Sequence, residues 1–240
     1  MSLSLLGYKE TLSIFIFFLL LLLIFSIISL RNYSGVIKKK VKFSKLFSKS
    51  NSINILSASR VFLFGARDIW FVVGVPIFFY DKLSWSFTEV GSFMASWIIF
   101  YGIIQSLAPK LLKIFYGNNF SENEQAFIWA IKLLLIIACL GILSYTYDYN
   151  GYLICMGLFL FGFIFAINSS IHSYLILALA KKNDVTLDVG FYYMANAMRR
   201  LLGCIISGFS YQIAGLIGCF VFAGIFLFFC SVFSFYLKSY

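Results

Sequence analysis

Long apolar stretches, each about as long as a membrane-spanning helix, occupy most of this 240-residue chain. A helix needs about 20 mostly apolar residues to cross the hydrocarbon core of a bilayer. Their hydrophobicity is continuous rather than alternating, which argues against the strands of a membrane barrel. The pattern predicts an all-α integral membrane protein with seven transmembrane helices, at about 11–30, 53–80, 88–109, 126–146, 152–178, 190–214 and 216–237.

The composition excludes a soluble domain. Only 12% of the residues are charged, whereas soluble domains carry about 25% charged residues to cover their surface. The first stretch differs from a secretory signal peptide because its flanking charges follow the apolar run and no small-x-small cleavage site appears. We therefore expect it to be a retained helix.

The basic residues predict the orientation of the chain. Because Lys and Arg are held on the cytoplasmic side of a membrane, we expect the N-terminus outside and the C-terminus in the cytoplasm. Of the basic residues that are not within a span, only Lys9 and Lys82 then lie on the outer side of the membrane. The basic loop is an inter-domain linker or, alternatively, a lipid-binding patch. The positive residues expected inside are Arg31, Lys38, Lys39, Lys40, Lys42, Lys45, Lys49, Lys110, Lys113, Lys181, Lys182 and Lys238.

Polar residues are unevenly distributed among the spans. The first and last spans contain no ionisable residue, and the fourth contains only Lys132. A guanidinium at membrane depth costs at least about 2.5–3.5 kcal/mol, so such groups face a bundle interior or a wet cavity. We therefore expect the second, third, fifth and sixth spans to line a polar space and the others to face lipid. The candidate substrate-binding residues are Arg60, Arg67, Gln105, Asn168, Asn196 and Arg200.

Three of these candidates are arginines, which bind phosphate and carboxylate groups through paired hydrogen bonds. Arg60 and Arg67 are two helical turns apart and share a face, and Arg200 is expected at a comparable depth. They could form a positive chamber for an anion, or an internal ion-pair network with Asp68 that only holds the helices together. Asp68 and the single histidine, His172, are candidates for proton coupling, although His172 could equally be a polar packing residue.

The sequence contains no phosphate-binding loop, zinc-protease motif, nucleophile elbow or pair of carboxylates at catalytic spacing. The five cysteines are far apart and form no C-x-x-C pair, so neither a metal site nor a disulfide framework is predicted. We expect a protein that is not an enzyme, has no cofactor or catalytic residue, and has no nucleic-acid partner.

Several segments are similar to one transporter family. SINILSASRVFLFGARDIWFVVGVPIFF, WSFTEVGSFMASWIIFYGIIQSLAPKLL, FAINSSIHSYLILALA and DVGFYYMANAMRRLLGCIISGFSYQ resemble the organoarsenical efflux permeases of bacterial arsenic operons, the ArsJ family of the major facilitator superfamily. The resemblance implies that the seven spans correspond to helices 6–12 of such a transporter. Residues 1–30 would be the last helix of its N-terminal half, 31–52 a basic cytoplasmic linker and 53–240 the C-terminal six-helix half.

The resemblance also implies a function. Such permeases of the bacterial inner (cytoplasmic) membrane export 1-arseno-3-phosphoglycerate, made by a partner glyceraldehyde-3-phosphate dehydrogenase of the same operon, and thereby remove arsenate. A half transporter would need a separate chain that supplies the N-terminal half. The alternatives are a facilitator for another organic anion or a drug, and a truncated half without activity alone.

Overall fold

The computed structural model of the protein describes residues 7–30, 51–117, 121–146, 150–179 and 185–238. Within these residues every regular element is a helix, and there is no strand. Six of the helices are long and apolar enough to cross a membrane. The expected all-α membrane class is therefore confirmed.

The helices lie close to the predicted spans. The second span consists of two α-helices joined by a π-helical turn, which together cover 31 residues. In chain order the elements are α1 (Tyr8–Leu30), α2 (Asn51–Ile69), the π turn (Trp70–Gly74), α3 (Val75–Asp81), α4 (Phe87–Tyr116), α5 (Glu122–Thr146), α6 (Gly151–Leu179) and α7 (Val185–Lys238).

The prediction of seven separate helices is not matched, because the last two predicted spans form one element. Helix α7 has 54 residues and would be about 80 Å long if it were straight, far more than a bilayer core of about 30 Å. Its backbone leaves the helical conformation only at Ala214 (φ −144°, ψ 24°) and Gly215 (φ 59°, ψ −145°). The positive φ is one that glycine adopts at little cost. No loop is needed between the two spans.

Contacts across this kink show that α7 folds back on itself. The Cys219 thiol donates to the carbonyl of Ser207 at 3.8 Å and accepts from the Ser210 hydroxyl at 3.3 Å. Twelve residues of straight helix would instead separate Ser207 and Cys219 by about 18 Å. We refer to residues 185–213 as the first arm of α7 and to residues 216–238 as its second arm.

Helix α1 and the predicted linker stand apart from the core. Every residue of α1 from 12 to 29 is exposed, as expected for a helix that faces lipid. Of the predicted linker 31–52, the first twenty residues lie outside the described part of the chain. Its last two residues begin α2.

The core lies where the second span and α6 pack against α4 and the second arm of α7. Trp70 contacts Trp97 of α4 and Phe161 of α6 edge to face, with ring centroids 5.5 and 5.3 Å apart. The indole N–H of Trp97 donates to the carbonyl of Leu158 at 2.8 Å. These aromatic contacts hold the second span between α4 and α6.

Helix α4 is peripheral despite its predicted role in lining a polar space. It begins with a capping box, in which the Ser86 hydroxyl accepts from the Glu89 N–H and the Glu89 carboxylate accepts from the Ser86 N–H at 2.7 Å. Glu89 therefore caps the helix end. The buried residues of α4 are Phe93, Trp97, Ala108 and Leu112, so most of the helix faces outward.

Candidate functional site

The polar side chains that the second span and α7 bring together form a cluster near the middle of the second span. From α2 they are Arg60, Arg67 and Asp68, and from the first arm of α7 they are Asn196 and Arg199. We call these five residues the arginine–aspartate cluster. It brings together four of the sequence candidates and adds Arg199.

Asp68 connects the two helices of the cluster. One carboxylate oxygen accepts from the guanidinium of Arg67 (Nε–H at 2.9 Å), and the other accepts from Arg199 on α7 at 2.7 Å. The Asp68 and Arg199 side chains are only 3% and 8% exposed, whereas that of Arg67 is 19% exposed. Asp68 is therefore shared between its chain neighbour and the opposite helix, and Arg67 is the most accessible member of the trio.

Asn196 links the other two arginines. Its side-chain oxygen accepts from the Nε–H of Arg60 at 3.0 Å and from the Nε–H of Arg199 at 3.2 Å. The same two guanidinium groups lie near the ring of Phe64, at 4.3 and 4.6 Å from its centroid. An aromatic ring and an amide oxygen thus hold two like charges close together.

The two helices approach closely beside the cluster because Gly203 faces Asp68. A Cβ at Gly203 would lie 2.5 Å from the Cβ of Asp68, so only glycine fits without a shift of the helices. One turn further on, the Ser207 hydroxyl accepts from the backbone N–H of Val73 at 3.2 Å. Val73 belongs to the π turn, whose wider hydrogen-bond pattern is often found at functional sites.

Helix α6 closes another side of the cluster. The ring of Phe165 lies 4.9 Å from that of Phe64 and 5.6 Å from the guanidinium of Arg67. His172 is fully buried and within electrostatic range of Arg60. Phe165 lies beside Arg67 and His172 lies nearer Arg60, so α6 runs antiparallel to α2. Asn168, between Phe165 and His172 in the chain, therefore lies at a depth between Arg67 and Arg60. Asn168 is fully buried, and neither its amide nitrogen nor its oxygen has a hydrogen-bond partner among the described residues.

Gln105 belongs to a separate polar contact between α4 and α6. Its side-chain amide donates to the hydroxyl of Ser169 at 3.3 Å, and the Tyr101 hydroxyl lies 3.0 Å from the same oxygen. The Tyr101 ring also contacts Phe165, at 5.5 Å between centroids. Gln105 therefore lies beside the cluster and does not join its ion pairs.

Arg200 is the sequence candidate that the structure places away from the cluster's buried contacts. Its side chain is exposed, while that of its neighbour Arg199 is buried. Consecutive residues differ by about 100° around a helix, so only one of the two can face α2. The spacing along the chain does not distinguish them, because Arg199 and Arg200 both lie three or four residues from Asn196 and from Gly203.

The electrostatics of the cluster favour an anion. The Asp68 carboxylate accepts from two guanidinium groups, those of Arg67 and Arg199. Arg60 donates to the amide oxygen of Asn196 and lies over the ring of Phe64. A phosphate or carboxylate group is the ligand whose charge and geometry match such an arrangement.

Comparisons of this chain with models of protein families, with curated proteins and with solved structures find no significant match.

Proposed function

We propose that this chain is the C-terminal half, helices 6–12, of a major facilitator transporter that exports an organic anion. The observation that carries the proposal is that the Asp68 carboxylate is shared between the guanidinium groups of Arg67 and Arg199 near the middle of the second span. In this proposal the N-terminus is outside and the C-terminus is in the cytoplasm of a bacterial inner membrane.

The cost of burial supports an anion as the substrate. Each arginine inserted at mid-membrane costs at least about 2.5–3.5 kcal/mol, and an ion-pair network that only holds helices together is most favourable when its charges balance. Here the carboxylate of Asp68 is shared between the guanidinium groups of Arg67 and Arg199. An anionic substrate would supply the missing negative charge during the transport cycle.

The resemblance to organoarsenical permeases supports a particular anion, 1-arseno-3-phosphoglycerate. Its phosphate and arsenate groups are both oxyanions that arginine can bind through paired hydrogen bonds. Arg60, Arg67 and Arg199 would bind these groups, while Asn168 and Asn196 would position them. Asp68 or His172 would carry the coupled proton.

The partners of the proposed function are a glyceraldehyde-3-phosphate dehydrogenase and a second membrane chain. The dehydrogenase would form the substrate from arsenate, and the second chain would supply the N-terminal half of the transporter. An alternating-access carrier moves two such halves around a shared site near the middle of the membrane.

The test is arsenate resistance in a bacterial strain that lacks its own arsenate efflux. The chain is co-expressed with the dehydrogenase, with and without a chain that supplies the N-terminal helices, and organoarsenical export is measured in the medium. Resistance that requires the dehydrogenase would support the proposal. Export of other organic anions without resistance would favour a different facilitator substrate, and no export in either setting would favour an inactive half.

Substitution of Arg67 separates binding from support of the fold. Arg67→Lys keeps the charge but removes the paired hydrogen bonds, which are worth about 2 kcal/mol. We therefore expect the apparent affinity for the exported substrate to fall roughly thirtyfold. Arg200→Lys is the matched control, because that side chain is exposed. Loss of folded Arg67→Lys protein, measured by gel filtration in detergent, would instead favour the ion-pair network as a purely structural device.

A further inference from the structure

We propose that the Asp68 carboxylate acts as an internal substitute for the transported anion, occupying the donors of Arg67 and Arg199 until the substrate displaces it. The inference rests on the proposed function and concerns the regulation of the same site. It assigns Asp68 a role other than proton coupling.

Asp68 already holds the donors that an oxyanion would use. Its two oxygens accept separately from Arg67 and Arg199, just as two oxygens of a phosphate group would. The side-chain exposures of 19% for Arg67 and 3% for Asp68 place the arginine on the accessible side. An incoming anion therefore meets Arg67 first and competes with Asp68 for it.

The contact between Asp68 and Arg199 joins two helices, α2 and the first arm of α7. When an anion takes the place of Asp68 on Arg199, the charged contact between α2 and the first arm of α7 is exchanged for a contact through the ligand. The backbones are held close beside it, since Gly203 leaves no room for even a Cβ against Asp68. Displacement must therefore proceed by rotation of the Asp68 side chain, or by separation of the helices.

Asp68 also bears on how the transported anion is released. Several desolvated guanidinium groups acting together would bind a multiply charged anion tightly, and a carrier with very tight binding releases its substrate slowly. A carboxylate that returns to Arg67 and Arg199 lowers the affinity and assists release. Asp68 would thus set the balance between binding and turnover.

The experiment compares anion binding by the purified full chain in lipid nanodiscs, with 3-phosphoglycerate as the probe. We expect Asp68→Asn to bind about ten times more tightly than the wild type, because the carboxamide no longer competes for the two guanidinium groups. Asp68→Glu, which keeps the competing charge, should remain near the wild-type affinity. Adding Arg199→Gln to Asp68→Asn should remove the gain. Unchanged or weaker binding by folded Asp68→Asn protein would overturn the proposal.

A second measurement uses only the wild-type protein, so it does not depend on whether a variant folds. Infrared difference spectra of wild-type protein with ¹³C-labelled aspartate should show a carboxylate band that shifts on addition of 3-phosphoglycerate, because a carboxylate loses its guanidinium partners. The absence of any shift at saturating ligand would overturn the proposal even if Asp68→Asn were unstable. Tighter binding by Asp68→Asn without arsenate resistance in the wild type would uphold this inference and reject the arsenical substrate. Arsenate resistance of the wild type without tighter binding by Asp68→Asn would reject this inference and uphold the arsenical substrate.

Discussion

Substitution of Gly203 by alanine tests the close approach of α2 and α7. The added Cβ would lie 2.5 Å from the Cβ of Asp68 and 3.6 Å from its Cα and Cγ, whereas carbon atoms in contact are normally about 3.5–4.0 Å apart. The nearest of these atoms is not the end of a flexible side chain, so the helices themselves must separate by roughly 1 Å. Such overpacking costs about 1–3 kcal/mol.

Gly208→Ala is the matched control on the same arm of α7. A Cβ at Gly208 meets no atom within 4 Å, so this variant keeps the gain of about 1 kcal/mol that alanine brings to a helix relative to glycine. Gly203→Ala brings the same helix gain, so we expect the two variants to differ in unfolding free energy by the overpacking cost alone, about 1–3 kcal/mol. A difference of 2 kcal/mol changes the ratio of folded to unfolded protein about thirtyfold.

The assay is reversible unfolding in mixed micelles of mild detergent and dodecyl sulfate. Tryptophan fluorescence reports on the core because Trp70 and Trp97 are fully buried there. If Gly203→Ala proves as stable as Gly208→Ala, the close contact between Asp68 and α7 is wrong. The placement of Arg199 in the cluster would then fail with it.

Three other substitutions test contacts around the site. Ser207→Ala leaves the Val73 N–H of the π turn without its acceptor, which we expect to cost about 1–3 kcal/mol and to speed hydrogen exchange at that amide. Asn168→Leu replaces a fully buried amide that has no hydrogen-bond partner among the described residues, so we expect unfolding stability to rise by about 1–3 kcal/mol while anion binding falls. Trp97→Phe removes the hydrogen bond to the Leu158 carbonyl and should lower the unfolding free energy by about 1 kcal/mol.

Two serine variants, one on α4 and one on α6, are the controls. Ser106→Ala loses only a hydrogen bond to the carbonyl of Ile103 on its own helix and should leave the exchange of Val73 unchanged. Ser169→Ala loses its contacts to Tyr101 and Gln105 and should destabilise the protein, in contrast to Asn168→Leu. A stabilising Ser169→Ala or a destabilising Asn168→Leu would contradict the described polar contacts of α6.

The spans could be predicted from the sequence because the thickness of a bilayer sets the length of an apolar helix. The placement of charges within them could be predicted only in part. Arg67 and Asp68 are so far inside an apolar segment that burial against another helix is required. Which of Arg199 and Arg200 joins them depends on the rotation of α7, and both lie three or four residues from Asn196 and Gly203, so the spacing does not decide between them.

The π turn shows a second limit of the sequence. Pro76 follows it closely and has no backbone N–H to donate to the preceding turn, so a break in the second span could have been anticipated. The form of the break could not, because the Val73 N–H is satisfied by Ser207, which is 134 residues away in the chain. The peripheral position of α4 was also not evident, since Gln105 finds its partner on α6.

The tight turn at Ala214 and Gly215 has a consequence for how the protein enters the membrane. Two residues are too few to form a polar segment that could cross the membrane by itself. The two arms of α7 must therefore enter the membrane together, as a pair. The contacts of Ser207 and Ser210 with Cys219 form only when the arms lie side by side. For two arms that each cross the membrane, the direction of the second crossing would then follow from that of the first rather than from Lys238, the basic residue at the end of the second arm.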